Sequence, residues 1–199
     1  MVLFTACTAA AGIWLPYVTP LPAALLLFVL WFFRDPERRS DAAQEALIAP
    51  ADGRVVEIAQ VEEPELIGGP ALKVAIFMSV FNVHVNRAPC NLRVKWTRHL
   101  PGRFMNAIRS DAGIENERFL IAGDMDRGPV LLKLIAGLIA RRIVCRLEKG
   151  ESLHRGQRLG MIKFGSRVEV FLPAESGFDV AVRLGQKVHA GETVLGQWR

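Results

Sequence analysis

Gly160-Met161-Ile162-Lys163-Phe164-Gly165-Ser166-Arg167-Val168-Glu169-Val170-Phe171-Leu172-Pro173 sets two apolar-rich runs on either side of a Gly-Ser pair. Alternation at Val168, Val170 and Leu172 reads as a strand. The Gly-Ser step itself is open to two readings. It is a turn, because glycine reaches backbone angles that other residues resist. Or it is reactive, with the Gly165 carbonyl exposed to the Ser166 hydroxyl so that the chain attacks itself. A serine hydroxyl is a weak nucleophile until a base takes its proton and a third group orients the base. The second reading therefore needs a base and a carboxylate elsewhere in the chain.

Two upstream stretches supply them: Ala49-Pro50-Ala51-Asp52-Gly53-Arg54-Val55 and Phe81-Asn82-Val83-His84-Val85-Asn86-Arg87. Taken singly, an aspartate before glycine is a turn residue, and a histidine between valines is a packed core residue. Taken in order with Phe164-Gly165-Ser166, the three motifs resemble the phosphatidylserine decarboxylases, in the short bacterial and archaeal form of the proenzyme. The resemblance runs from about Phe32 to the C-terminus.

That resemblance implies self-cleavage between Gly165 and Ser166, with Ser166 as nucleophile, His84 as base and Asp52 holding the imidazole. It implies chains 1–165 and 166–199, and a covalent pyruvoyl group derived from Ser166, with no pyridoxal phosphate and no metal. It further implies that phosphatidylserine forms a Schiff base on this group and is decarboxylated to phosphatidylethanolamine. Archaetidylserine, which carries the same serine headgroup, is the alternative substrate. Arg87, Arg103, Asn106 and Arg118 lie in short motifs that look like family features, where an arginine would meet the lipid phosphate through paired hydrogen bonds. One departure stands out: long-form members carry a second histidine shortly before the matched one, and Phe81-Asn82-Val83-His84 lacks it. Family members commonly form homodimers.

The 199 residues suit one domain with appendages, long enough to bury a core. A hydrophobic content of 51% and mean hydropathy of +0.23 are high for a soluble domain, and much of the excess sits at the N-terminus. The formal charge of +5 fits attraction to an anionic surface. No basic-aromatic repeat or helix-turn-helix pattern supports nucleic acid, so a membrane is the expected partner. Cys7, Cys90 and Cys145 have neither paired nor metal-like spacing, which points to buried thiols in a reducing compartment.

Met1 to Phe33 carries no charged side chain and is broken by Pro16, Pro20 and Pro22. A bilayer crossing takes about 20 apolar residues, so the segment suits one tilted span or a re-entrant hairpin. Arg34, Arg38 and Arg39 follow, which predicts a catalytic domain on the cytoplasmic side of the inner membrane. Residues 34–47 read as a linker before a domain at 48–199. Strands are expected at Arg54–Gln60, Leu72–Val80, Leu92–His99, Phe119–Ala122, Pro129–Ile135 and Ala140–Leu147, with a helical turn at Arg103–Ile108. Periodicity alone also permits a helix over Leu131–Val144, and Gly137 with the β-branched Ile143-Val144 favours strands there.

Leu153-His154-Arg155-Gly156-Gln157-Arg158-Leu159-Gly160 is echoed by Val188-His189-Ala190-Gly191-Glu192-Thr193-Val194-Leu195-Gly196. Each copy places a glycine turn before a short apolar strand, as in biotinyl and lipoyl domains, with His154 and His189 as surface turn residues. The expected fold is α+β and mainly β: a compact β domain of barrel-sandwich character behind a membrane-associated helical segment. Met161-Ile162-Lys163 also permits a carrier domain modified on Lys163. A serine hydrolase using Ser166, His84 and Asp52 without self-cleavage is a third reading, weakened by the absence of a Gly-x-Ser-x-Gly elbow.

Overall fold

The structure is a computed structural model and describes residues 20–138, 142–163 and 165–199. It divides into two units, Met1–Pro36 and Glu37–Arg199. In the first, helix α1 (Pro20–Phe32) starts on prolines, which the first turn tolerates because its N–H groups have no partner in the helix. Its 13 residues are apolar all round. Among the described residues no helix is long and apolar enough to cross a membrane. The expected span or hairpin falls largely on residues 1–19, outside the described part. Arg34 closes the helix by donating to the Trp31 carbonyl at 2.9 Å, with its guanidinium over the indole.

The second unit is mainly β. Its first half holds β1 (Ala46–Ile48), β2 (Gly53–Glu63), β3 (Gly69–Met78), β4 (Val85–Arg87) and β5 (Leu92–Leu100). A single helical turn, α2 (Ala112–Glu115), precedes β6 (Arg118–Met125) and β7 (Gly128–Ile135). Then come β8 (Ile143–Val144), β9 (Ser152–Leu153), β10 (Arg158–Ile162) and β11 (Ser166–Pro173). The chain ends with β12 (Phe178–Val180), β13 (Lys187–Val188) and β14 (Val194–Trp198).

These strands form an eight-stranded sheet, β13-β2-β3-β11-β7-β6-β5-β9, and two three-stranded ones, β1-β14-β12 and β4-β10-β8. Every pairing is antiparallel, and β11 sits in the middle of the large sheet. Its register pairs Ser166 with Met78 on one side and Arg167 with Ile135 on the other.

The alternation in β11 sorts its side chains onto two buried faces. Val168, Val170 and Leu172 join the main core with Val74, Ile76, Met78, Leu132 and Leu134. Phe171 packs in a smaller cluster with Ala71, Leu120, Ala122 and Leu131. Arg167 and Glu169, both buried, stand on that second face, joined Nε to Oε1 at 2.7 Å. Arg167 also binds Glu57, whose other oxygen meets Lys73 Nζ at 2.5 Å. Buried charges survive only when paired this fully. Burial alone would push the Glu57 carboxyl up, but hydrogen bonds from Lys73 and Arg167, and then their charges, outweigh it and hold the group below its ordinary 4.5.

Several boundaries differ from expectation. The strand expected from Ala140 begins among described residues only at Ile143. The helical turn falls at Ala112–Glu115, beyond the expected Arg103–Ile108, which runs as irregular chain. Residues 46–47, read as linker, are strand, and Leu47 is wholly buried beside β14. The sequence echo is realised as two turns docked alike. Gly156 N–H donates to the Ala88 carbonyl as Gly191 N–H donates to that of Ala49, each at an Ala-Pro step. Cys90 and Cys145 are free thiols, and burial pushes Cys90 up to about 12. Cys7 lies outside the described residues.

Candidate active site

Ser166 opens β11 and is wholly buried. Gly165 before it holds φ at +63°, a left-handed conformation that L side chains rarely adopt. Its carbonyl oxygen points at Gly137, just past the end of β7. A Cβ built on Gly137 would lie 1.7 Å from that oxygen and 2.8 Å from the Gly165 carbonyl carbon. Only a glycine at 137 admits the carbonyl there.

Asn116 holds Gly137's neighbour in place. Its buried amide donates to the Ala136 and Met105 carbonyls, both at 2.8 Å, and accepts from Met105 N–H at 2.9 Å. The Ala136 N–H donates to the Glu117 carbonyl at 2.9 Å.

On the other side of Ser166, its Oγ donates to Met78 Sδ at 3.4 Å. Asn86 Nδ2 donates to the same sulfur at 3.4 Å, and Asn86 is itself wholly buried. Between β3 and β4 the chain turns at Ser79–Asn82. There Asn82 Oδ1 accepts from the Ser79 N–H and hydroxyl, both at 2.8 Å. This side-chain-closed turn leads the chain into His84, which is buried two residues before Asn86.

Asp52 reaches the same region through the backbone. The Ile48 N–H donates to the Pro89 carbonyl and the Arg87 N–H to the Pro50 carbonyl, each at 2.9 Å. These bonds run the two segments antiparallel. The pairing stops there, because the chain bends at Pro50–Asp52 before β2 begins, and the contacts of Asp52 are to Ala190, Arg38 and His189, not to His84. The buried carboxylate accepts from Ala190 N–H at 2.8 Å on Oδ1 and from Arg38 Nη2 at 3.2 Å on Oδ2. His189 Nδ1 lies 3.6 Å from Oδ2, so this turn histidine stands against Asp52 as well as at the surface. Arg38, which follows the apolar N-terminal segment in sequence, is thus paired with a buried carboxylate.

The four residues expected at the substrate separate into two kinds. Arg87 is buried and donates to the Gly156 carbonyl at 3.0 Å, and Arg118 donates to the carbonyls of Ile114 and Asn116. Arg103 and Asn106 are exposed on the segment that Asn116 ties to Ala136, and Arg103 pairs loosely with Glu115 at 3.8 Å. Sequence reasoning missed Met78, Gly137, Asn116 and the Arg38–Asp52 pair. Gly137, a lone glycine in an apolar run, was the one legible signal.

Around the junction three large apolar side chains are exposed on separate loops: Phe81, Ile108 and Leu138. Ile108 also lines a cavity of about 430 Å³ with Arg54, Phe77, Ser79, Asn82 and Lys187. Among the described residues no group of histidine, cysteine and carboxylate side chains could hold a metal ion.

Residues 25–196 match the family model described as phosphatidylserine decarboxylase. A phosphatidylserine decarboxylase proenzyme from Magnetococcus marinus is 49% identical over 84% of this chain and 77% of its own length. One from Cupriavidus pinatubonensis is 46% identical over 95% and 85% of the two chains, and one from Chlorobium phaeobacteroides is 44% identical over 96% and 91%.

Proposed function

The chain belongs to the phosphatidylserine decarboxylase family and is a decarboxylase, and from that premise we propose that it matures by cutting itself between Gly165 and Ser166 and then converts phosphatidylserine to phosphatidylethanolamine. The observation that carries this reading is the junction itself: a buried serine preceded by a left-handed glycine whose carbonyl oxygen occupies the space left at Gly137.

His84 takes the Ser166 proton, and Asp52 orients the imidazole. The freed oxygen forms a bond to the Gly165 carbonyl carbon, the C–N bond breaks, and the nitrogen of residue 166 leaves as an amine. An ester is less stable than an amide, so the surroundings must favour this direction. The seating of the Gly165 carbonyl against Gly137 holds the attacked carbon beside the Ser166 hydroxyl, and the elimination that follows draws the ester forward. Loss of the α-proton of residue 166 then expels the Gly165 carboxylate from Cβ and leaves a dehydroalanine. Water replaces its nitrogen, ammonia departs, and the new chain begins with a ketone. Only a β-oxygen leaves in this way, which is why serine is required.

Residue 166 fits such a group because the β11 register fixes it between Met78 and the β7 end. The pyruvoyl carbonyl supplies an electron sink for loss of CO2 from an α-amino acid. The chain's own residues do the rest. Arg103 and Asn106 present donors to the lipid phosphate, while Arg118 braces the neighbouring Ile114–Asn116 backbone and Arg87 braces the turn at Gly156. Phe81, Ile108 and Leu138 rest in the leaflet so that the headgroup enters beside Arg54 and Lys187. The apolar N-terminal segment, including α1, keeps the domain at the cytoplasmic face of the inner membrane.

Denaturing gels with intact-mass measurement test the reading. Wild-type protein should separate after Gly165, the C-terminal chain starting with a pyruvoyl mass, and Ser166→Ala should remain one inactive chain. A wild-type protein that stays uncut and still decarboxylates phosphatidylserine refutes it.

A further inference from the structure

We propose that Arg38 is a positioning residue for the self-cleavage, locking the Asp52 carboxylate in the orientation that His84 requires. The inference rests on the role given to Asp52 above and adds a residue that neither the motifs nor the sequence echo contains.

The geometry is that of a fork closed on two carboxylates. Arg38 Nη2 meets Asp52 Oδ2 at 3.2 Å while Nη1 meets Glu192 Oε2 at 2.7 Å. The Arg38 and Asp52 side chains are only 13% and 6% exposed, so that arm of the fork is desolvated, while Glu192 at 41% lies at the surface. The Ala190 N–H fixes the other Asp52 oxygen at 2.8 Å. Each carboxylate oxygen thus has its own donor, from opposite ends of the chain, and the plane of the group is set. Packing agrees with the polar contacts: a Cβ on Gly191 would come within 3.1 Å of Arg38 Cβ, so glycine there lets Arg38 lie against the turn.

Arginine suits this task as lysine does not. Its planar guanidinium spans two acceptors at fixed spacing, whereas an ammonium is a point charge on a flexible stem. His189 approaches the same carboxylate from its half-exposed side, at 3.6 Å, beyond hydrogen-bond distance. Without Arg38, Asp52 Oδ2 loses its hydrogen-bond donor and the carboxylate is free to turn, with His189 beside it as an alternative partner.

The test follows full-length proenzyme by gel as it converts to two chains. Arg38→Ala should slow conversion about tenfold to a hundredfold, the range a charge-assisted hydrogen bond carries. Arg38→Lys should recover part of that loss, and added guanidinium should speed Arg38→Ala but not the wild type. Arg38→Ala/Asp52→Asn should be no slower than Asp52→Asn alone, because both act at one carboxylate. A wild-type conversion rate in Arg38→Ala, with Asp52→Asn slow, overturns this inference and leaves the Asp52 role intact. A wild-type rate in Asp52→Asn defeats that role first. Should Arg38→Ala be insoluble, Arg38→Lys decides: a wild-type rate counts against the inference, and a slowed rate at unchanged Tm supports it.

Discussion

Replacing Gly137 with alanine adds one methyl group at the most crowded point of the junction. The new Cβ would sit 1.7 Å from the Gly165 oxygen, where ordinary contacts begin at 3.4 Å. About 1.7 Å of separation must therefore be found, and the atoms in the way are backbone atoms. Gly137 cannot retreat easily, because Asn116 and Glu117 hold Ala136 on both its carbonyl and its N–H. Ser166 cannot either, since the β11 register pins it to Met78. The Gly165 carbonyl is left to swing away. For the fold that is an overpacking cost of about 1–3 kcal/mol, tolerable against a typical stability of about 5–15 kcal/mol. For the reaction it displaces the attacked carbon by about an ångström, which costs on the order of a hundredfold in rate. Gly137→Ala should fold, with a lowered Tm, and convert to two chains at least about a hundredfold more slowly than wild type, followed by gel and intact mass. Gly69→Ala, where an added Cβ meets nothing within 4 Å, serves as the control with wild-type conversion. Wild-type conversion in Gly137→Ala would show that the carbonyl's seat against residue 137 has no part in the chemistry.

Two further outcomes follow from the same geometry. Phe81→Ser and Leu138→Ser should each lower decarboxylation of phosphatidylserine in vesicles by about tenfold, from roughly 1.5 kcal/mol of apolar transfer, and leave the rate on a monomeric short-chain substrate unchanged; equal losses on both substrates would remove the leaflet contact from the account. Glu57 is held below its ordinary value, so its stabilising effect is full above pH 4.5 and is lost as pH falls through the folded-state value. Glu57→Gln should therefore lower Tm at pH 7 and lose that deficit on acidification below about pH 4.5, followed by circular dichroism. Parallel Tm curves for the two proteins would contradict the pairing with Arg167 and Lys73.

The strands that carry the site were legible because each declares itself locally. Val168, Val170 and Leu172 alternate, and the structure puts all three in one core. The glycine turns at 156 and 191 repeat visibly, and they dock alike. What stayed hidden belongs to contacts between distant segments. Asn116 reads as a loop residue, and only the chain's return past Ala136 makes it a brace. Arg38 reads as a charge beside an apolar segment, and only the turn at Ala190 gives it a carboxylate to hold. The helical turn was misplaced for a related reason. Residues 103–108 bridge to Asn116 instead of coiling, so tertiary contacts override a local preference.

The proposed self-cleavage has to solve two problems with one geometry. The bond to be cut must be fixed before cleavage, yet the residue left at position 166 must remain in place once the connection to Gly165 is gone. The register answers both. Ser166 is the first residue of a central strand paired on both sides, so on the proposed cleavage the new C-terminal chain would stay bound by β11. Gly165 belongs to no strand and holds a left-handed conformation that glycine adopts without cost, so a cut there would not loosen the sheet. Moving the junction inward by two residues would place it between Arg167 and Val168, inside the paired ladder. Cleavage there would have to break sheet hydrogen bonds on both flanks. The boundary between strand and loop is the one place where the backbone can be severed and its product kept.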